Sequence, residues 1–217
     1  MKINVKGSII PSNQAWIYDY FGIENTNPKA IQKALEQAAG EDVDVDINSG
    51  GGDVFAGSEI YSALRSYDGM VRIHVVGLAA SAASVIACAA HSDISPTAQM
   101  MVHNVRTWAD GDYREMDHTS EVLRKANRAI ASAYMEKTGM SEKEALALMD
   151  RETWMTAQDA VDAGLIDEIS KPKQEVGQLV AAACDVLPAQ LIAKMQQERM
   201  NLQMELLSLK GEERHDV

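Results

Sequence analysis

The sequence predicts an α/β domain over residues 1–170, followed by a tail of different character over 171–217. Three observations carry this. Val43-Asp-Val-Asp-Ile47 and Val71-Arg-Ile-His-Val75 alternate apolar and polar residues at the period of half-buried strands. Helix starts and stops alternate with them: Asn27-Pro28 and the capping box Ser141-Glu-Lys-Glu144 open helices, and glycines at 40, 69, 139 and 164 close them. After Lys171-Pro-Lys173 the composition shifts to Gln, Met, Glu and Leu.

Taken in order, Ile3–Ile10 reads as a strand ended by Pro11. Asn27 caps a helix whose apolar face is Ile31, Leu35 and Ala38. The 43–47 strand runs into a glycine-rich loop, Asn48-Ser-Gly-Gly-Gly-Asp53, and Ile60, Leu64 and Tyr67 mark the next helix. The strand from Val71 is expected to break at Gly77 and give way to an alanine-rich buried helix carrying Ser81 and Ser84. Ala98–His103 follows as a strand. Asp112–Met135 is one long helix, polar but with Met116, Leu123, Ala126, Ile130 and Ala133 on one face. Ser141 and Thr156 open two shorter helices before a short Leu165–Ile169 strand. In the tail, Pro188 separates two helical pieces, and Leu191, Met195, Leu202, Leu206 and Leu209 suit an amphipathic helix. A partner-binding helix and a partly disordered solvated tail both fit that pattern.

Composition narrows the function. A net charge of −12 argues against a nucleic-acid or anionic-membrane partner. Cys88 and Cys184 form no metal-type or redox spacing, so neither a metal nor a cofactor is expected. The first residues lack a signal-peptide core and no apolar run is long enough to span a bilayer, which points to a cytosolic protein.

Three features bear chemistry. Ser81 follows a strand-to-helix break, where backbone N–H groups are unpaired; that suits a nucleophile, and equally a cap or a packing residue. Gly50–Gly52 allow positive φ and close backbone approach, or merely a turn; no phosphate-loop pattern can be written across them. His103 stands at a strand end, where α/β sheets place their sites, although a structural histidine fits there too.

In combination these segments resemble a known family. Ile47-Asn-Ser-Gly-Gly-Gly52, Gly77-Leu-Ala-Ala-Ser-Ala-Ala-Ser84, Met101-Val-His-Asn104 and Glu152-Thr-Trp-Met-Thr-Ala-Gln-Asp-Ala-Val-Asp-Ala-Gly-Leu-Ile-Asp167 look like the ordered motifs of the Clp protease proteolytic subunits, over about residues 1–170. The resemblance implies a spiral of β-β-α units, shared with crotonases, with an inserted handle helix at about 112–139. It implies a serine endopeptidase with Ser81 as nucleophile and His103 as general base, and with an oxyanion hole from the backbone N–H groups of Gly51 and Ala82. Ser84 is then a packing residue. The partners it implies are a polypeptide substrate and further copies of the chain in a ring.

The sequence also departs from the family. Glu152 occupies the usual aspartate position of the third catalytic residue, with Asp150 as its competitor, and Gly50 replaces a proline in the glycine loop. The chain begins almost directly at its first strand, which puts partnership with an AAA+ unfoldase in question. Trp108-Ala-Asp-Gly-Asp-Tyr113, the Glu-Thr-Trp segment and the tail look more like the phage and prophage branch, associated with capsid or scaffold maturation. Rival readings are a housekeeping subunit working with an unfoldase, a crotonase-type acyl-CoA enzyme, a Ser/Lys peptidase and a catalytically silent capsid-assembly component.

Overall fold

The computed structural model describes residues 1–171; the expected helical tail lies, beyond that point, outside the described residues. The frame is an eight-stranded sheet. Its strands are β1 (Lys2–Ile9), β2 (Asn25–Thr26), β3 (Val43–Gly52), β4 (Val71–Ala80), β5 (His91–Ile94), β6 (Gln99–Val102), β7 (Thr153–Thr156) and β8 (Glu168–Ile169). The hydrogen-bonded order β2-β1-β3-β4-β5-β8 is parallel throughout. The strand β4 forks. Arg72–Val75 pair with His91–Ile94 of β5, whereas Leu78–Ala80 pair with Gln99–Met101 of β6. β6 in turn pairs with β7 antiparallel. The sheet therefore turns a corner at the far end of β4.

The helices are α1 (Ala15–Tyr20), α2 (Pro28–Ala38), α3 (Val54–Arg65), α4 (Ala82–Ala87), α5 (Tyr113–Thr138), α6 (Glu142–Asp150) and α7 (Ala157–Asp162). Their starts follow the expected chemistry. Asn27 accepts from the Ala30 N–H ahead of Pro28, and Asp112, Ser141 and Thr156 each form a capping box. Val43, Val45 and Ile47 of β3 and Ile73 and Val75 of β4 are wholly buried, each such side chain contributing roughly 1.5–3 kcal/mol on leaving water.

Two differences from the sequence expectation have physical causes. First, β4 does not break at Gly77 but continues to Ala80, and the alanine-rich helix shrinks to the six residues of α4. The register between β3 and β4 shifts between Ile47 and Ser49, and the Asn48 side chain fills the space over Gly77. A Cβ there would stand 2.5 Å from Asn48 Oδ1, which accepts from the Leu78 N–H at 3.1 Å. Gly77 makes room for a bulge in the neighbouring strand rather than ending its own. Second, α1, β2, β5 and β7 are too short to impose a recognisable periodicity on their residues.

The long helix α5 divides in two. Its buried residues are Ile130, Ala131, Ala133 and Tyr134, all in its last third; Met116 and Leu123, expected on the packed stripe, are not buried. At its end Lys137 is nearly enclosed, pairing with Asp167 and donating to the Ala90 carbonyl at 2.9 Å. The C-terminal third of α5 is thus fixed to the sheet while the rest stands clear of the core. Among the described residues no helix is long and apolar enough to cross a membrane.

The end of β3 is tied to β1 where the Asp53 N–H donates to the Ile9 carbonyl at 2.8 Å. Gly52, at φ +152°, crosses that carbonyl so closely that a Cβ would lie 2.1 Å from its oxygen. Gly52→Ala is expected to lower unfolding free energy by roughly 3 kcal/mol, combining backbone strain with overpacking. Urea denaturation followed by circular dichroism checks this.

Candidate active site

Ser81 is the single residue between β4 and α4, and its backbone is left-handed, with φ 56° and ψ −123°. For a residue bearing a Cβ, that conformation costs of order 1–3 kcal/mol and persists only where neighbours over-determine it. They do so here from two sides. The Ser81 N–H donates to the Met101 carbonyl of β6 at 2.9 Å. The Ser81 carbonyl accepts from the Ser84 N–H at 2.9 Å and from Ser84 Oγ at 2.6 Å. Ser84 Oγ also lies 2.8 Å from Tyr134 Oη, in the anchored third of α5. Both side chains are buried. Ser84, expected only to pack, is therefore a hydrogen-bonded bridge between the Ser81 turn and α5. Sequence reasoning missed this role of Tyr134; its one signal is a phenol among the apolar residues of α5.

The glycine loop supplies the floor. Gly51, at φ +92°, passes so close to the turn that a Cβ would lie 2.7 Å from Ser81 Cβ and 3.0 Å from the Ala82 nitrogen. Only glycine fits at that approach. The Ala82 N–H, at the first position of α4, has no intrahelical acceptor within reach by construction. The Gly51 N–H instead donates to Ser49 Oγ at 3.1 Å, while Ser49 Oγ donates to the Gly7 carbonyl at 2.6 Å. One of the two expected oxyanion donors is thus committed to a neighbouring hydroxyl in this conformation.

His103 follows β6 directly and its Nε2 lies 2.8 Å from Ser81 Oγ. The forked β4 explains the meeting, because pairing of Leu78–Ala80 with β6 brings both strand ends to one place. Burial lowers the His103 pKa below its ordinary 6.5; Arg106 adds to the depression and Glu152 opposes it. At neutral pH the ring is uncharged, so Nε2 can accept from the serine hydroxyl when Nδ1 carries the proton.

The acid is where expectation and geometry part. The β6–β7 register pairs Val102 with Thr153, so His103 and Glu152 emerge as neighbours from the two strands. Glu152 is itself left-handed, at φ 48°. Its carboxylate, however, is ion-paired with Arg106. Asp150, the competing acid, accepts from Asn104 Nδ2 at 2.8 Å. The buried His103 Nδ1 has no hydrogen-bond partner among the described residues. The structure brings Ser81 and His103 together and leaves both acids engaged elsewhere.

Ser81, His103, Arg106, Val85 and Tyr134 line a cleft of about 210 Å³. A hydroxyl bonded to a neutral imidazole, beside backbone N–H groups, is an arrangement for nucleophilic attack on a carbonyl with stabilisation of the resulting oxyanion. Among the described residues no cluster of three or more His, Cys, Asp or Glu is placed to hold a metal ion.

Comparison with known proteins adds to this geometry. The family model described as Clp protease matches residues 26–173. The ATP-dependent Clp protease proteolytic subunit of Bacteroides fragilis is 32% identical over 133 residues, 60% of this chain and 64% of that protein. That of Ligilactobacillus salivarius is 34% identical over 143 residues, 64% of this chain and 73% of its own length. The chain thus spans under two thirds of the Bacteroides fragilis protein it matches. Among solved structures, a ClpP1 mutant from Listeria monocytogenes is similar in fold, with a TM-score of 0.66 at 22% identity, covering 79% of this chain and 92% of that one.

Tyr134→Phe, which removes one partner of the buried Ser84 hydroxyl, is expected to cost about 1 kcal/mol of stability. Thermal or urea unfolding of the variant measures it, and an unchanged transition would show that the Ser84–Tyr134 contact contributes nothing.

Proposed function

The chain belongs to the Clp protease family, and from that membership we propose that it is a serine endopeptidase whose chemistry is carried by Ser81 and His103. The observation that supports this most is the 2.8 Å contact between Ser81 Oγ and His103 Nε2, at a serine held in a strained turn. Neutral His103 takes the proton as Ser81 Oγ attacks the scissile carbonyl carbon. The developing oxyanion is met by the Ala82 N–H, and by the Gly51 N–H once it leaves Ser49 Oγ. His103 then returns the proton to the departing amine, leaving an acyl-enzyme that water hydrolyses by the same route in reverse. Glu152 is the proposed third member, orienting His103 through Nδ1–H after parting from Arg106. A crotonase-type enzyme would not require the Ser81–His103 pair.

We further infer that the peptidase works as a ring of copies of this chain. The first two thirds of α5 carry no buried side chain, and a long helix standing off its own core is suited to contact with another subunit. For the substrate, the Trp108–Tyr113 segment and the residues after 171 favour a phage or prophage protease acting on capsid or scaffold protein. The second reading is a proteolytic subunit served by an AAA+ unfoldase, favoured by the names of the Bacteroides fragilis and Ligilactobacillus salivarius relatives, which call those proteins ATP-dependent.

A fluorophosphonate probe is expected to label the wild type and not Ser81→Ala, and casein cleavage is expected to vanish with it; equal cleavage by both proteins would sink the assignment. Stimulation of folded-substrate cleavage by an unfoldase and ATP selects the second reading over processing of capsid or scaffold protein. His103→Ala is expected to lower kcat/KM by roughly 10²–10⁴-fold while leaving the circular dichroism spectrum intact. Glu152→Gln is expected to slow turnover markedly more than Asp150→Asn, and the reverse ranking would transfer the role to Asp150. Because His103 works as the neutral base and its pKa is depressed, activity should persist below pH 6.5 and fall only as pH drops through the lowered value. A profile of kcat/KM against pH with its acidic limb above 6.5 would contradict this.

A further inference from the structure

Among the described residues, one cation stands in the cleft. Arg106 lies three residues after His103 and lines the same 210 Å³ space as Ser81. Besides the neutral His103, the other ionisable side chain there is Asp53, whose carboxylate is already committed to the Ala56 N–H as the cap of α3. We propose that Arg106 reads the substrate: it takes a carboxylate side chain of the peptide near the scissile bond and, in doing so, releases Glu152 to His103 Nδ1. This rests on the serine-peptidase reading given above.

Four observations support the exchange. The Arg106–Glu152 pair is open to water, with side-chain exposures of 68% and 45%. Such exposed pairs contribute little, so one carboxylate can replace another at small net cost. The planar guanidinium offers paired N–H donors matched to a carboxylate, and so holds the incoming acid in one orientation. His103 Nδ1 is buried and without a partner among the described residues, so a carboxylate arriving there satisfies a group that otherwise lacks a hydrogen bond. Finally, the Val102–Thr153 register already sets Glu152 beside His103, so the transfer asks for side-chain rotation rather than a change in the strands. The electrostatics agree: Arg106 pushes the His103 pKa down and Glu152 pulls it up, so trading one neighbour for the other makes His103 a stronger base.

Arg106 in this account is both a specificity residue, through the substrate carboxylate, and a positioning residue, through Glu152. The two roles separate in kinetics. Internally quenched peptides differing only by Glu or Gln, with the pair moved along the positions flanking the scissile bond, supply the assay. For the wild type, the Glu peptide at one flanking position is expected to be cleaved with kcat/KM about tenfold higher or more, chiefly through kcat. Arg106→Gln should bring the two peptides to parity and cleave the Gln peptide faster than the wild type does, because Glu152 is no longer held. Arg106→Lys, which keeps the charge without the fork, should retain part of the preference. Glu152→Gln should confine the preference to KM. Equal cleavage of every Glu/Gln pair by the wild type, or a preference surviving in Arg106→Gln, overturns the proposal. Fluorophosphonate labelling of Ser81 in the same samples keeps the readings apart. Labelled enzyme without Glu/Gln discrimination counts against Arg106 alone, whereas neither labelling nor Ser81-dependent cleavage removes the peptidase reading and this one with it.

Discussion

The left-handed backbone at Ser81 is the constraint on which the site depends. A serine does not rest there unaided, and the elements around it can be understood as the means of holding it. β6 fixes the amide, Ser84 fixes the carbonyl, and Gly51 passes below so closely that a Cβ there would collide with Ser81. Each of those three contacts comes from a different part of the chain. The fork in β4 is what lets them converge, because a single strand serves β5 with its first half and β6 with its second. Were β4 paired along its whole length with one neighbour, His103 would have no strand end beside the serine.

The same turn links the site to the long helix. Through Ser84 and Tyr134 the Ser81 carbonyl is one hydroxyl away from α5, and Lys137 fixes that part of α5 to the sheet near Ala90 and Asp167. The anchored third of α5 is therefore part of the nucleophile's support, and the free two thirds are its extension into solvent. Against this rigid side stands a looser one. Glu152 with Arg106, Asp150 with Asn104, and Gly51 with Ser49 are polar pairings that occupy groups the proposed chemistry would use. The conformation is ordered at the nucleophile and base, and held back at the acid and at one oxyanion donor.

Much of this was legible in the sequence because it rests on residue types with narrow uses. Alternating Val and Ile gave β3 and the start of β4, and Asn, Asp, Ser and Thr at helix starts gave most of the helix boundaries. The nearness of Ser81 to His103 was readable only through the family motifs, since twenty-two positions in sequence say nothing about 2.8 Å in space. What could not be read was partner choice. Nothing in the order of residues says that Arg106 takes Glu152 before His103 does, or that Ser49 takes the Gly51 amide. Both are choices among neighbouring groups that local geometry makes. Gly77 misled for a related reason: a glycine that admits a neighbour's side chain looks, in sequence, like one that ends a strand.

The sheet order carries one consequence for how the protein survives at high concentration. A parallel sheet with open ends presents unpaired amides and carbonyls that another chain can extend. Here both ends of the main path, β2 and β8, are two residues long, and their residues include Asn25, Thr26 and Glu168. Because β2 pairs only with Ser8 and Ile9, the edge that another chain could extend is Lys2–Lys6 of β1, which the charges of Lys2 and Lys6 blunt. Among the described residues, protection of that end against fibrous growth rests on lysine charge rather than on a covering strand, while the Val- and Ile-rich β3 and β4 are paired on both sides.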